Sequence, residues 1–108
     1  RFKQGLNCDG VFASSDLIAV TAMSLLAELG YRIPFDVPVI GFDDIDMAQF
    51  YRPSLSTIRQ PLDAAGPEIL RLLEQQIRGE GVRPSQLSTR LVIRESTDLS
   101  IQHAARAQ

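Results

Sequence analysis

The chain has 108 residues, 44% hydrophobic and 22% charged, with a net charge of −2. That is the balance of an ordinary soluble globular domain, and it excludes a basic nucleic-acid footprint within this stretch. Lys3 is the only lysine, His103 the only histidine and Cys8 the only cysteine, so no internal disulfide can form and a reducing cytosol fits. No apolar run approaches the ~20 residues of a membrane span, and no signal peptide opens the chain.

Arg1-Phe2-Lys3-Gln4 reads as the tail of a helix cut mid-element, with Gly5 near its stop. The chain is therefore expected to be a portion of something longer. Asn7-Cys8-Asp9-Gly10 is turn chemistry, residues 11–13 a short strand, and Ser14-Ser15-Asp16 a helix N-cap. A helix is predicted over 16–29. At about 100° per residue its polar side chains, Thr21, Ser24 and Glu28, share one narrow stripe. Ile18, Ala22, Leu25, Leu26 and Leu29 make one apolar face; Val20, Met23 and Ala27 make a second. A helix apolar nearly all round is covered on more than one side: one face on a sheet, the other on another helix or subunit. Gly30 stops it as a C′ residue.

Residues 31–36 form a loop, and residues 37–42 a buried strand of β-branched character ending at Gly41-Phe42. Strand–helix–strand alternation implies parallel pairing and an α/β architecture. In such sheets ligands bind beyond the carboxyl ends of the strands, where Asp43, Asp44 and Asp46 fall. A carboxylate there can accept two hydrogen bonds from a polyol; equally, three acids can start a loop and cap a short helix. Met47, Phe50 and Tyr51 cluster outside any strand, either against the core or in an interface. Residues 56–59 are a short strand. Pro61 suits the start of a one-sided amphipathic helix over 62–78, within which Pro67 should bend the axis. Residues 79–85 are a polar loop, 89–94 a strand from which Glu95-Ser96-Thr97 trails, and 101–108 a fraying tail.

The catalytic inventory is thin. There is no Cys–His metal spacing, no nucleophile elbow and no phosphate-binding glycine loop. Aspartate phosphorylation needs a nearby cation, and Lys3 sits in the wrong place. Asp43-Asp44-Ile45-Asp46 lacks the alternate spacing and later glutamate of an EF-hand loop. Binding fits better than catalysis, with no metal and no cofactor expected.

Three motifs in order carry a resemblance: Asp9-Gly10-Val11-Phe12-Ala13-Ser14-Ser15-Asp16; Gly30-Tyr31-Arg32-Ile33-Pro34-Phe35-Asp36-Val37-Pro38-Val39-Ile40-Gly41-Phe42-Asp43-Asp44; and Pro53-Ser54-Leu55-Ser56-Thr57-Ile58-Arg59-Gln60-Pro61. Together they closely resemble the lac/gal repressor family of bacterial transcription regulators, over about residues 9–97. The resemblance implies an α/β, type I periplasmic-binding-protein-like core, with parallel sheets flanked by helices and a cleft between two subdomains that closes by hinge motion. Residues 1–58 would be part of the C-terminal subdomain, 59–90 part of the N-terminal subdomain after a crossover, and 91–108 the return strand and tail.

It further implies that Asp43, the first aspartate of Gly-Phe-Asp-Asp, contacts a sugar or nucleoside-like effector. Ser15 would reach the same ligand, and Gln60 with Leu62 would line the cleft. Asp16 would be a helix cap and Asp44 structural. Val20, Met23, Met47, Phe50 and Tyr51 would form a homodimer interface, in agreement with the second apolar helix face. Operator DNA would be held only by an N-terminal helix-turn-helix outside this chain, in a cytoplasmic regulator with no membrane partner and no enzymatic activity. A periplasmic sugar-binding protein of a transporter shares the fold and is the alternative; the crossing at residues 53–60 favours the regulator. Pro67 departs from the family pattern and puts the start of its helix in doubt.

Overall fold

The computed structural model describes residues 6–98 and 100, so the expected helix end at residues 1–5 and the expected tail at 101–108 lie outside the described residues. The chain divides into two compact units: residues 6–59 with 91–98, and Gln60–Arg90.

The first unit is a sheet in the order β1 (Val11–Phe12), β2 (Val39–Asp43), β3 (Ser56–Arg59) and β4 (Arg90–Val92), with helix α1 (Asp16–Glu28) between β1 and β2. β1 pairs parallel with β2, Val11 opposite Val39. β2 pairs parallel with β3, from Ile40 opposite Ser56 to Asp43 opposite Arg59. The expected α/β class with parallel pairing is what the chain adopts. β2 starts two residues later than predicted because Pro38 has no N–H to give a ladder; its carbonyl instead accepts from Val11 N at 2.9 Å. Val37, Val39 and Leu55 are fully buried and form a core with Ala13, Ala19, Met23, Leu26, Tyr31 and Ala48. Among the described residues no helix is long and apolar enough to cross a membrane.

α1 ends as its sequence requires. Gly30 takes φ 88°, Gly30 N donates to Ala27 O at 3.0 Å and Tyr31 N to Leu26 O at 2.9 Å. These are the two bonds of a Schellman motif, and the accompanying apolar contact is supplied by Leu26 and Tyr31, both buried. The expected division of its faces is corrected. The buried stripe is Asp16, Ala19, Met23 and Leu26, which takes one residue from each predicted face and two from neither. Ile18, Leu25 and Leu29 are exposed. The reason lies at Gly41: α1 crosses β2 so closely that only small side chains fit between them, so Ala19 and not a leucine marks the contact line.

A Cβ at Gly41 would overlap a carboxylate oxygen of Asp16 and lie 3.1 Å from Leu55 and 3.2 Å from Ala19. The short stretch after β2 is a 3-10 turn, Asp46–Gln49, held by Leu55 N donating to Ala48 O at 2.8 Å.

Residues 95–97, expected to trail from the last strand, are instead built into the sheet. Ser96 is fully buried. Its hydroxyl donates to Val39 O at 2.6 Å and accepts from Ser56 N at 2.8 Å, while its carbonyl accepts from Val39 N at 3.0 Å. Ser54 N donates to Glu95 Oε1 at 2.9 Å and Arg94 N to Ser56 Oγ at 2.7 Å. Side chains thus complete the backbone pairing at the starts of β2 and β3, where an orphaned buried group would be costly.

The second unit holds α2 (Leu62–Ile77), which begins after Pro61 as predicted and closes at Gly79, φ 73°. The helix runs through Pro67. The preceding residue is Gly66, which lacks the Cβ that clashes with a following proline ring in a helical conformation. On its surface Glu68 is paired with Arg71; hydrogen bonds from Arg71 and then Ser85 hold the Glu68 carboxyl below the usual carboxylate range. No residue of α2 is buried, and Ile77 is 76% exposed.

Gly41→Ala is expected to destabilise the first unit by about 1–3 kcal/mol, the usual cost of overpacking a closed contact. Asp16 cannot retreat without losing its hydrogen bonds, and Leu55 and Ala19 close the other sides. An unchanged urea midpoint would show that α1 stands further from β2 than described.

Candidate functional site: the carboxyl edge of the sheet

The chain leaves the carboxyl ends of β1 and β2 through polar residues, Ser15 and Asp16 after β1 and Asp43 and Asp44 at the end of β2. After β1, Ser15 is the N-cap of α1, in extended conformation, with its hydroxyl accepting from Ile18 N at 3.2 Å. The cap is therefore Ser15, and the expected capping role of Asp16 is corrected. Asp16 is the first helical residue and is fully buried. Its Oδ1 accepts from Thr57 Oγ1 at 2.5 Å and its Oδ2 from Ile45 N at 2.8 Å. A buried carboxylate survives only when its oxygens are satisfied, and its place in the first turn of α1 adds a favourable interaction with the helix dipole. Thr57 in turn accepts at the same Oγ1 from Asp44 N, at 3.2 Å.

After β2 the backbone leaves the strand through two consecutive non-glycine residues of positive φ, Asp43 at 120° and Asp44 at 57°. Such conformations cost of order 1–3 kcal/mol each and persist where the surroundings over-determine them. Here the surroundings are Thr57, holding the Asp44 N–H, and two arginines. Arg94 Nη2 lies 2.9 Å from Asp44 Oδ1, and Arg59 Nε lies 3.5 Å from Asp44 Oδ2. Arg94 also donates to Leu55 O at 2.9 Å. The expected structural role of Asp44 thus has a specific content, a nearly buried carboxylate shared by two cations.

Asp43 and Ser15 are both half-buried at this edge of the first unit. Gln60 and Leu62 belong to the second unit, Gln60 half-buried and Leu62 exposed at 69%. Of the other predicted residues, Met23 lies in the core, Val20 and Tyr51 pack partly against it, and Met47 and Phe50 are exposed on and just after the 3-10 turn. Val20, Met23, Ala27, Tyr31, Tyr51 and Pro53 line a groove of about 420 Å³ on the first unit. Sequence reasoning missed Thr57, Arg94 and the clamp role of Asp16. The available signals were a threonine in the middle of a short buried strand and an arginine inside an otherwise apolar run, neither of which names its partner.

Parallel strands ending in a half-buried polar edge, with carboxylates aimed by their neighbours rather than by solvent, make an α/β domain suited to holding a small polar ligand. Residues 3–97 match the periplasmic binding protein-like domain, and the chain belongs to that family.

The relatives it matches are transcription regulators of the lac repressor type. It is 41% identical over 90 residues to the HTH-type transcriptional regulator CelR of Thermobifida fusca, a match covering 82% of this chain and 26% of that protein. Its fold is similar to that of a CelR–cellobiose complex, with a TM-score of 0.72 and 41% identity over 82% of this chain and 28% of the other. It is also similar to the lac repressor dimer bound to operator and the anti-inducer ONPF, with a TM-score of 0.77 and 32% identity over 87% of this chain and 33% of that one. The chain spans about a quarter of the length of the curated relatives it matches.

Asp16→Asn is expected to lower stability by about 1–3 kcal/mol. An asparagine can keep its oxygen on Ile45 N only by turning its NH2 to Thr57 Oγ1, which leaves the Thr57 hydroxyl hydrogen without its acceptor. Thr57→Ser keeps the hydroxyl and should cost less. Denaturant midpoints of the two variants, compared with the parent, check the order; equal effects would show that the Asp16–Thr57 bond contributes little.

Proposed function

We propose that this chain is the effector-binding and dimerisation portion of a sugar-responsive bacterial transcription regulator. In this reading residues 1–58 belong to one subdomain of a two-subdomain core, residues 59–90 to the other, and residues 91–108 are the return strand and tail. The division of the chain at Gln60 and again after Arg90 supports that assignment. Operator DNA would be bound by a helix-turn-helix outside this chain, in a cytoplasmic protein without catalytic activity. The kinship with regulators over four-fifths of this chain supports both points.

The observation that carries the reading is Asp43. It ends β2 at the carboxyl edge of parallel strands, half-buried, with its backbone turned to φ 120°. A carboxylate so placed can accept two hydrogen bonds from vicinal hydroxyls, each charge-assisted and contributing roughly 1.5–3 kcal/mol. Ser15 lies at the same edge; Gln60 and Leu62 would supply a polar and an apolar contact from the other wall. The ligand class is a sugar or a nucleoside-like molecule, and the cellobiose held by the similar CelR structure makes a β-linked disaccharide the first probe.

Calorimetric titration of the full-length protein with cellobiose, ribose and related sugars is expected to find a binder. Asp43→Ala should then weaken it about a hundredfold, at ~1.4 kcal/mol per tenfold. Operator affinity without effector should be retained. Wild-type sugar affinity in a thermally destabilised Asp43→Ala protein would sink the contact and leave Asp43 as a loop cap.

For assembly, the groove beside Val20 and Tyr51 would receive the same face of a second copy, with Met47 and Phe50 at its margin and Met23 forming its floor. A dyad-related contact is self-complementary. Val20→Asp or Tyr51→Asp would place a charge at its centre and cost roughly 2 kcal/mol or more of association. Sedimentation should show a shift to monomer, with a melting curve on the same sample to confirm folding; a folded, unchanged dimer in both variants would rule the groove out.

A further inference from the structure

The Asp44 carboxylate is held between two cations of the first unit that flank, in sequence, the segment forming the second unit. Arg59 is the last residue of β3, and the chain passes into the second unit at the next residue, Gln60. Arg94 lies shortly after the chain returns to the first unit at Leu91. The two segments are far apart in sequence, and both are tied to one side chain that is only 7% exposed. We propose that Asp44 is a positioning residue that couples the outgoing and returning strands, fixing the directions in which the chain leaves and re-enters the first unit.

Three observations carry this. First, the backbone at Asp44 has an anchor besides the arginines, its N–H donating to Thr57 Oγ1, which itself is bound to the buried Asp16. The carboxylate therefore springs from an anchored backbone. Second, Arg94 is anchored at both ends, its N–H on Ser56 Oγ and its guanidinium on Leu55 O as well as Asp44. Third, the arms are unequal. The Arg94 arm is 2.9 Å long with Arg94 20% exposed, whereas the Arg59 arm is 3.5 Å long with Arg59 59% exposed. An exposed pair is weakened by solvent and screened by salt. The returning segment at Arg94 is thus tied to Asp44 more firmly than the end of β3 at Arg59. Asp43 is the adjacent residue, so a ligand drawing on its carboxylate acts on the peptide that joins it to Asp44. That last consequence rests on the reading of Asp43 as an effector contact; the tie itself does not.

Hydrogen–deuterium exchange on the full-length protein, with no ligand added, tests the tie. Asp44→Asn removes the charge that both arginines share. Exchange of the amides of residues 58–60 and 91–93 is expected to accelerate about tenfold or more, with the amides of α1 unchanged. Arg94→Gln should reproduce most of this, Arg59→Gln a smaller part confined to residues 58–60, and Asp44→Glu should restore part of the protection. Raised salt should mimic Arg59→Gln and not Arg94→Gln. Unchanged exchange in both segments of Asp44→Asn would overturn the proposal. So would acceleration spread equally over α1, which would mean that Asp44 only contributes to global stability. Because no ligand enters the experiment, a failed sugar titration and a failed tie are separate results.

Discussion

The buried carboxylate of Asp16 is the constraint from which the rest of the first unit follows. A charge without solvent is tolerated only where each oxygen has a donor, and the two donors here come from different elements: the Thr57 hydroxyl in β3 and the Ile45 amide in the loop after β2. One side chain at the start of α1 thereby fixes the helix against the sheet, the strand that must carry a threonine, and the path of the loop that ends at the polar edge. Room for it is made by Gly41, where any side chain would collide with it. The small residue in the strand, the acid in the helix and the hydroxyl in the next strand are three parts of one contact.

What was legible in the sequence was what depends on near neighbours. The bounds of α1, its stop at Gly30, the start of α2 after Pro61 and the parallel α/β order are set by caps, turn residues and periodicity within a few positions, and these were found. The roles of Ser96 and Asp16 depend on partners 40 to 57 residues away. Ser96 reads as a polar residue in a trailing segment, yet it is fully buried because Val39 and Ser56 need its hydroxyl and carbonyl. Asp16 reads as a cap because serine and aspartate are both good caps; which of them takes the role was decided by Thr57, 41 residues on. The stripe of α1 that meets the sheet was misplaced because the helix is apolar nearly all round, so periodicity gave no contrast. The resemblance to a repressor family drew attention to Asp43, whereas its turned backbone and the arginines on the neighbouring Asp44 belong to the fold alone.

The two helices show opposite uses of the same pattern. α1 has little amphipathic contrast and is well anchored, since Ala19, Met23 and Leu26 are buried against β2 and its neighbours. α2 has a clear apolar arc of which only Ala65 and Leu72 are half-buried; Leu62, Ile69, Leu73 and Ile77 remain exposed. Periodicity tells which side of a helix would be covered and is silent about what covers it. Burying such side chains is worth roughly 1.5–3 kcal/mol each, so an arc of this size is a strong demand for a partner surface.

A ligand can move an equilibrium between two arrangements only by its differential affinity for them. A contact made by a mobile surface carboxylate discriminates poorly, because the side chain can follow the ligand in either arrangement. The carboxyl edge here is built against such following. Asp43 and Asp44 occupy conformations that a free chain avoids, and they are kept there by Thr57, Asp16, Arg59 and Arg94. In the proposed reading, a sugar that meets Asp43 meets a group whose position is already fixed relative to β2 and β3. The cost of holding two aspartates at positive φ, of order 1–3 kcal/mol each, is then borne before binding, by a network that lies wholly within one unit.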